Sequence, residues 1–88
     1  MKVGEIYCHI DAPSALFMFK KKEVALECKI DFLTYADEAS IKLWMLRRLR
    51  PVDEVWFVPG NTLFMVLAID GLTAQVLAGE RIGWMYIG

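Results

Sequence analysis

The cysteine, histidine and serine residues of this chain, the first candidates to hold a metal or attack an electrophile, are few: Cys8, His9, Ser14, Cys28 and Ser40. A tetrahedral metal site needs three or four converging thiolate, imidazole or carboxylate ligands. Cys8 and His9 are adjacent, so a strand carrying them sends one to each face, and Cys28 is the only other soft ligand. No metal or other cofactor is expected. Nucleophilic catalysis needs a base beside the nucleophile, and the chain has one histidine. Neither Ser14, in an Ala-Pro-Ser turn, nor Ser40, in a helical stretch, stands in a nucleophile-elbow sequence. Carboxylates fall on strand faces, turns and a helix cap, with no pair set aside for acid–base work. Gly71-Leu72 and Gly79-Glu80 lead into strands rather than helices, so neither opens a phosphate loop. The expectation is a protein without catalytic residues and without a small-molecule substrate.

Binding chemistry is better supplied. Trp and Arg dominate interface hot spots, and "IKLWMLRRLR" at 41–50 places Arg48 four residues after Trp44. With Ile41 at zero and about 100° per residue, Met45 falls near about 40°, Leu49 near about 80°, Leu46 near about 140°, and Trp44 near about 300°. The wheel predicts a buried stripe of Ile41, Met45, Leu46 and Leu49, with Trp44, Arg47 and Arg48 on the opposite side as a protein contact. Trp84 and Tyr86 form a second candidate contact. The alternative is a nucleic-acid accessory protein, with Lys20, Lys21, Lys22, Arg47, Arg48 and Arg50 on phosphates and Trp44 and Phe19 as stacking surfaces. Net charge is −1, a poor footprint for phosphate binding. Residues 20–50 carry eight basic against five acidic side chains, a balance of +3, and residues 51–88 one against four, a balance of −3. That polarity suits contacts between copies, head to tail.

The elements that must position these residues follow from period. In "KVGEIYCHID", Ile6, Cys8 and Ile10 alternate with Glu5, Tyr7 and His9, predicting a strand with the first set facing the core. "ALFMF" is a short apolar run, the three lysines after it a hairpin turn, and "EVALECKIDFL" a long strand with Val24, Leu26, Cys28, Ile30 and Phe32 inward. A helix is expected over about residues 36–50, capped by Thr34 or Asp37, with the arginines at the negative end of its dipole and Pro51 as the stop. From Val52 the chain reads as an antiparallel meander: "EVWFV", a "PGN" turn, "TLFMVLAI", a "DG" hairpin, "LTAQVLA", a "GE" turn and "RIGWMYI". Both alternating sets of "TLFMVLAI" are apolar, which predicts a central strand covered on both faces.

Eighty-eight residues make one domain, residues 1–88. Apolar residues are 57% of the chain, more than one small core hides, so an apolar patch kept for a partner is expected. Two cysteines at core-facing positions point to a reducing, cytoplasmic setting. Lys2 and Glu5 flank too short an apolar run for a signal peptide. The uncharged run of fifteen residues from Val55 to Ile69, broken by Pro59, Gly60 and Asn61, is too short to cross a bilayer, so no membrane partner is expected.

At "KVGEIY", and again at "GNTLFMVLAIDGLTAQVLAGERIGWMYI", the chain resembles the SH3-like small barrels, including short proteins encoded by bacteriophages. The shared pattern is a Val-Gly-acidic-hydrophobic step, a Gly-led strand, a DG hairpin, a strand, and a closing strand with Gly83, Trp84 and Tyr86. The resemblance implies a β-rich binding module and a viral accessory or host-inhibitory role. The expected fold is α+β: a bent antiparallel sheet or partly open SH3-like barrel of six to seven strands with one inserted helix. The expected function is docking on another protein, including a second copy of the chain.

Overall fold

Two-residue turns organise the C-terminal half of the molecule. The computed structural model describes residues 2–8, 16–29, 38–58 and 62–87. Its elements are β1 (Ile6–Cys8), β2 (Leu16–Phe19), α1 (Lys22–Cys28), α2 (Glu38–Arg47), a 3₁₀ turn at Val52–Glu54, β3 (Val55–Val58), β4 (Leu63–Asp70), β5 (Thr73–Ala78) and β6 (Arg81–Tyr86). The fold is α+β, with one antiparallel sheet in the order β1-β4-β5-β6-β2-β3. Ala78 pairs with Arg81, so Gly79-Glu80 forms the expected turn. The preceding turn lies one residue later than "DG" implies: Asp70 pairs with Thr73, leaving Gly71-Leu72 as the loop. Gly71 takes φ +59°, and glycine at the first loop position suits a II′ hairpin. The Thr73 hydroxyl donates to the Asp70 carbonyl at 2.9 Å and holds Asp70 in the ladder. The "PGN" turn, the Thr34 and Asp37 caps, His9, Ile10 and Ser14 lie outside the described residues.

The sheet curls on itself. Met18, Val58, Phe64, Val66, Ala74, Val76, Ala78 and Met85 form one buried cluster, with Tyr7 and Trp56 at its margin. Every strand contributes to this concave side and, among the described residues, neither helix does. Gly83 of β6 lets Met18 of β2 lie close over it on this side. A β-carbon there would stand 2.9 Å from Cγ of the buried Met18. Between Val66 and Ala68 the β4–β5 register slips at Leu67, and such a bulge sharpens local bending.

The convex side is half covered. Phe17 and Phe19 of β2 and Val55 of β3 pack against Val24 and Ala25 of α1 and Ile41 and Met45 of α2. Where a strand was expected from residue 23, Lys22–Cys28 is a helix, while Ile30 and Phe32 of that stretch lie outside the described residues; two helices stand among the described residues where one was expected, and Lys20 and Lys21 link β2 to α1 rather than forming a hairpin turn. The physical reason lies at two positions. Val24 and Cys28 share a face in a strand and in a helix alike, but the helix buries Ala25 and leaves Leu26 out. Ala25 lets the helix backbone come close, and Glu23, Ala25, Leu26 and Glu27 are all good helix formers. Seven residues do not hold a helix alone; packing on β2, β5 and β6 does.

α2 matches the expected helix over Glu38–Arg47 but is turned about its axis and ends before Pro51. Ile41 and Met45 are buried, whereas Leu46 is 59% and Leu49 94% exposed. The buried arc thus centres near about 0° on the wheel rather than about 100°, and the side including Trp44 turns toward the core. The helix stops in a Schellman motif: Leu49 N–H donates to Leu46 O at 3.1 Å and Arg50 N–H to Met45 O at 2.9 Å. Leu49 sits at φ +55°, where glycine is usual.

β1 is also reversed. Tyr7 faces the interior and stacks on Phe64, centroids 5.5 Å apart, while Ile6, 63% exposed, and Cys8 face out. The larger ring fills the concave side and its hydroxyl still reaches Glu5 Oε1 at 2.7 Å. β4 buries Phe64 and Val66, but its other face is uncovered, with Leu63 62% exposed, because the helices lie over the β6-β2-β3 end. Among the described residues no helix is long and apolar enough to cross a membrane.

Candidate docking surfaces

The Schellman turn positions the first group of predicted contact residues. By reversing the chain at Leu49, it brings Arg50 back beside Arg48. Both then hold one carboxylate of α1: Arg48 Nη1 donates to Glu27 Oε1 at 2.5 Å and Arg50 Nη2 to Glu27 Oε2 at 2.9 Å. The hydrogen bond from Arg48, joined by that from Arg50, outweighs desolvation and holds the Glu27 carboxyl below its ordinary value of 4.5. Arg48 also lies over the Trp44 ring, 5.1 Å from its centroid. Trp44, Arg47, Arg48 and Glu27 line one shallow hollow of about 580 Å³. Trp44 is half-buried and packs on the helix-side cluster. It has a structural task, closing the α1–α2 seam, and Arg48 is engaged twice.

Trp84 packs at the edge of the same cluster. Lys22 Nζ stands 5.8 Å from its ring centroid and 2.5 Å from Asp70 Oδ2. The hydrogen bond to Asp70, then its charge, raises the Lys22 pKa. Tyr86 is half-buried opposite Thr73. The two basic clusters do not pool into one patch: Lys21 lies 3.9 Å from Glu54, Lys22 meets Asp70, and Arg48 and Arg50 share Glu27. Lys20 and Arg47 are exposed and have no acidic partner among the described residues.

Three features were missed by sequence reasoning. On the convex face, Ile6, Met65, Leu77 and Ile82 align across β1, β4, β5 and β6. The exposed ends of this row, Ile6 and Ile82, and the neighbouring Leu63 make a bare apolar surface. The double apolar alternation of β4 signalled it. On α2, Leu43 and Leu46, one turn apart, and Leu49 after them form a second bare surface. At the mouth of the curl a groove of about 560 Å³ is lined by Met18, Trp56, Val58, Ala78 and Arg81 among others, with the Arg81 guanidinium 4.9 Å from the Trp56 ring. Nothing in the linear pattern joins residues 56 and 81; the sheet order does.

Among the described residues no three His, Cys, Asp or Glu side chains gather as a metal site would require. The fold and its surfaces define an α+β domain with a curled antiparallel sheet. Beyond that class, the chain matches no protein-family model, no curated protein and no solved structure.

Proposed function

We propose that this chain is a small non-catalytic docking protein that binds another protein through apolar surface its own helices leave uncovered. The observation that carries the reading is the half-covered convex face, where Ile6, Leu63 and Ile82 stand exposed beside a fully built core. Isolated surface leucines are ordinary; a contiguous bare face on a sheet is the usual mark of a partner site. The centre of docking moves accordingly to this face and to Leu43, Leu46 and Leu49, with Arg47 and Trp44 at the margin. On the same reading the curled sheet is a variant of the SH3-like barrel with two helices laid against it.

The nucleic-acid alternative draws less support, because most cations of the two clusters already face carboxylates. Titration with oligonucleotides across salt separates the readings: phosphate contacts require affinity that falls steeply with salt. The docking reading is tested by affinity capture on the immobilised chain, wild type against Leu46→Glu and Leu63→Lys. Loss of captured protein by variants that keep the wild-type unfolding midpoint supports it. Recovery of the same proteins by wild type and by both variants overturns it.

A further inference from the structure

We infer that the two bare apolar surfaces are made for each other: the Leu43/Leu46/Leu49 face of α2 in one copy docks in a second copy on the convex face left open over β1 and β4, with Leu77 and Ile82 at its margin. The inference rests on the docking reading and deepens it by naming the partner and the pairing.

Leu49 carries the first part of the argument. It occupies a left-handed backbone position that glycine or asparagine fills without strain, and 94% of its surface is exposed. Folding of the single chain gains nothing from a leucine there. Its side chain acquires a role only when something covers it, and Leu43 and Leu46 extend the same apolar surface along the helix.

Charge supplies the second part. The leucines are flanked by Lys42, Arg47, Arg48 and Arg50, and of these Arg47 has no acidic partner among the described residues. On its described strand positions the open sheet face carries one charged side chain, Asp70 at the end of β4, which is already paired with Lys22 of α1. Glu80 stands exposed in the turn at its rim with no cationic partner among the described residues, and the adjacent Arg81 is turned to the other side over Trp56. The unpaired Arg47 at the helix edge thus has a counterpart in the unpaired Glu80 at the sheet edge, the complementarity that steers association and fixes orientation.

Geometry supplies the third. The convex side already accepts helices over β6, β2 and β3, and is bare over β1 and β4. A helix from a second copy completes that layer, as a sheet face requires. Contact between unlike surfaces is heterologous, and it behaves differently in mixtures from contact between like surfaces.

The experiment is a mixing test read by light scattering or sedimentation over a wide concentration range. Leu46→Glu blocks the helix face and Leu63→Lys blocks the sheet face; Leu43→Glu and Ile6→Lys repeat the test at neighbouring exposed positions, and far-UV circular dichroism with unfolding midpoints confirms that each variant folds. The expected result is that wild type self-associates and each variant alone loses about tenfold or more in self-affinity, the loss of a hot-spot contact. A mixture of the two regains association through the one intact helix–sheet pair. Arg47→Glu and Glu80→Arg singly weaken association, and combined they recover part of it. A wild type that stays monomeric throughout, variants that still self-associate, or a mixture that stays monomeric overturns the pairing. Monomeric behaviour alongside capture of a different protein would sink this inference and leave the docking reading standing.

Discussion

Replacing Leu49 by glycine should make the monomer more stable. The left-handed conformation at φ +55° costs an L-residue roughly 1–2 kcal/mol. Glycine adopts it freely but gives up about 0.5–1 kcal/mol through its larger unfolded-state entropy. Because Leu49 is 94% exposed, the deletion takes away almost no buried surface, and both Schellman hydrogen bonds come from the backbone and persist. The net expectation is a gain of about 0.5–1 kcal/mol, which for a domain of this size raises the unfolding midpoint by about 2–8 °C. The measurement is thermal and urea unfolding at protein concentrations low enough to keep the chain monomeric, since association would add its own concentration-dependent stability. An Asn variant should behave similarly, and an Ala variant, still strained, should not. A Leu49→Gly variant as stable as wild type or less so would refute the reasoning, because it would mean that the side chain makes contacts within its own chain or that the turn is built differently.

Met45→Ala and Leu46→Ala read the rotation of α2: truncating buried Met45 should cost about 2–4 kcal/mol, and truncating exposed Leu46 within about 0.5 kcal/mol; in urea unfolding, comparably large costs at both positions would restore the stripe expected from the wheel. Gly83→Ala should destabilise by about 1–3 kcal/mol, because its β-carbon drives into Met18, and combining it with Met18→Ala should return part of that loss. Glu27, whose folded pKa is lowered, contributes stability that is present above its ordinary value of 4.5 and lost as pH falls through the folded value. Comparing wild type with Glu27→Gln across acid pH should therefore show a gap that narrows on acidification, and a gap constant with pH would remove the arginine clamp from the account. Lys22 has the opposite sign: its raised pKa gives stability that is present below about 10.5 and lost as pH rises through the folded value, so Lys22→Met should flatten the alkaline limb.

Much of this architecture is written locally. Gly79-Glu80 between two alternating runs is enough to place a hairpin, and the helical period after residue 36 is enough to announce α2. The double apolar alternation of "TLFMVLAI" announced β4 as a strand, although the cover expected on its second face is missing over Leu63. Those signals depend on neighbours a few residues apart, which share one backbone geometry whatever surrounds them.

The rest was decided in three dimensions. Val24 and Cys28 satisfy a strand and a helix equally, and only the close approach of Ala25 to β6 and β2 selects α1. Six of the ten residues in 41–50 are apolar and ring the whole wheel, so periodicity does not choose an arc, and the position of α1 and β3 chooses Ile41 and Met45. Ile6 and Tyr7 are both apolar enough to face inward; the concave side of a curled sheet had room for a ring opposite Phe64, and that turned β1 over. The sequence by itself determined the β4–β5–β6 hairpins to within a residue and the existence of α2, whereas β3, expected beside β4 in a meander, pairs with β2 at the far edge of the sheet. Which face of each element is buried, and therefore which leucines are left for a partner, was settled by packing, because burial belongs to the space between elements and not to any one of them.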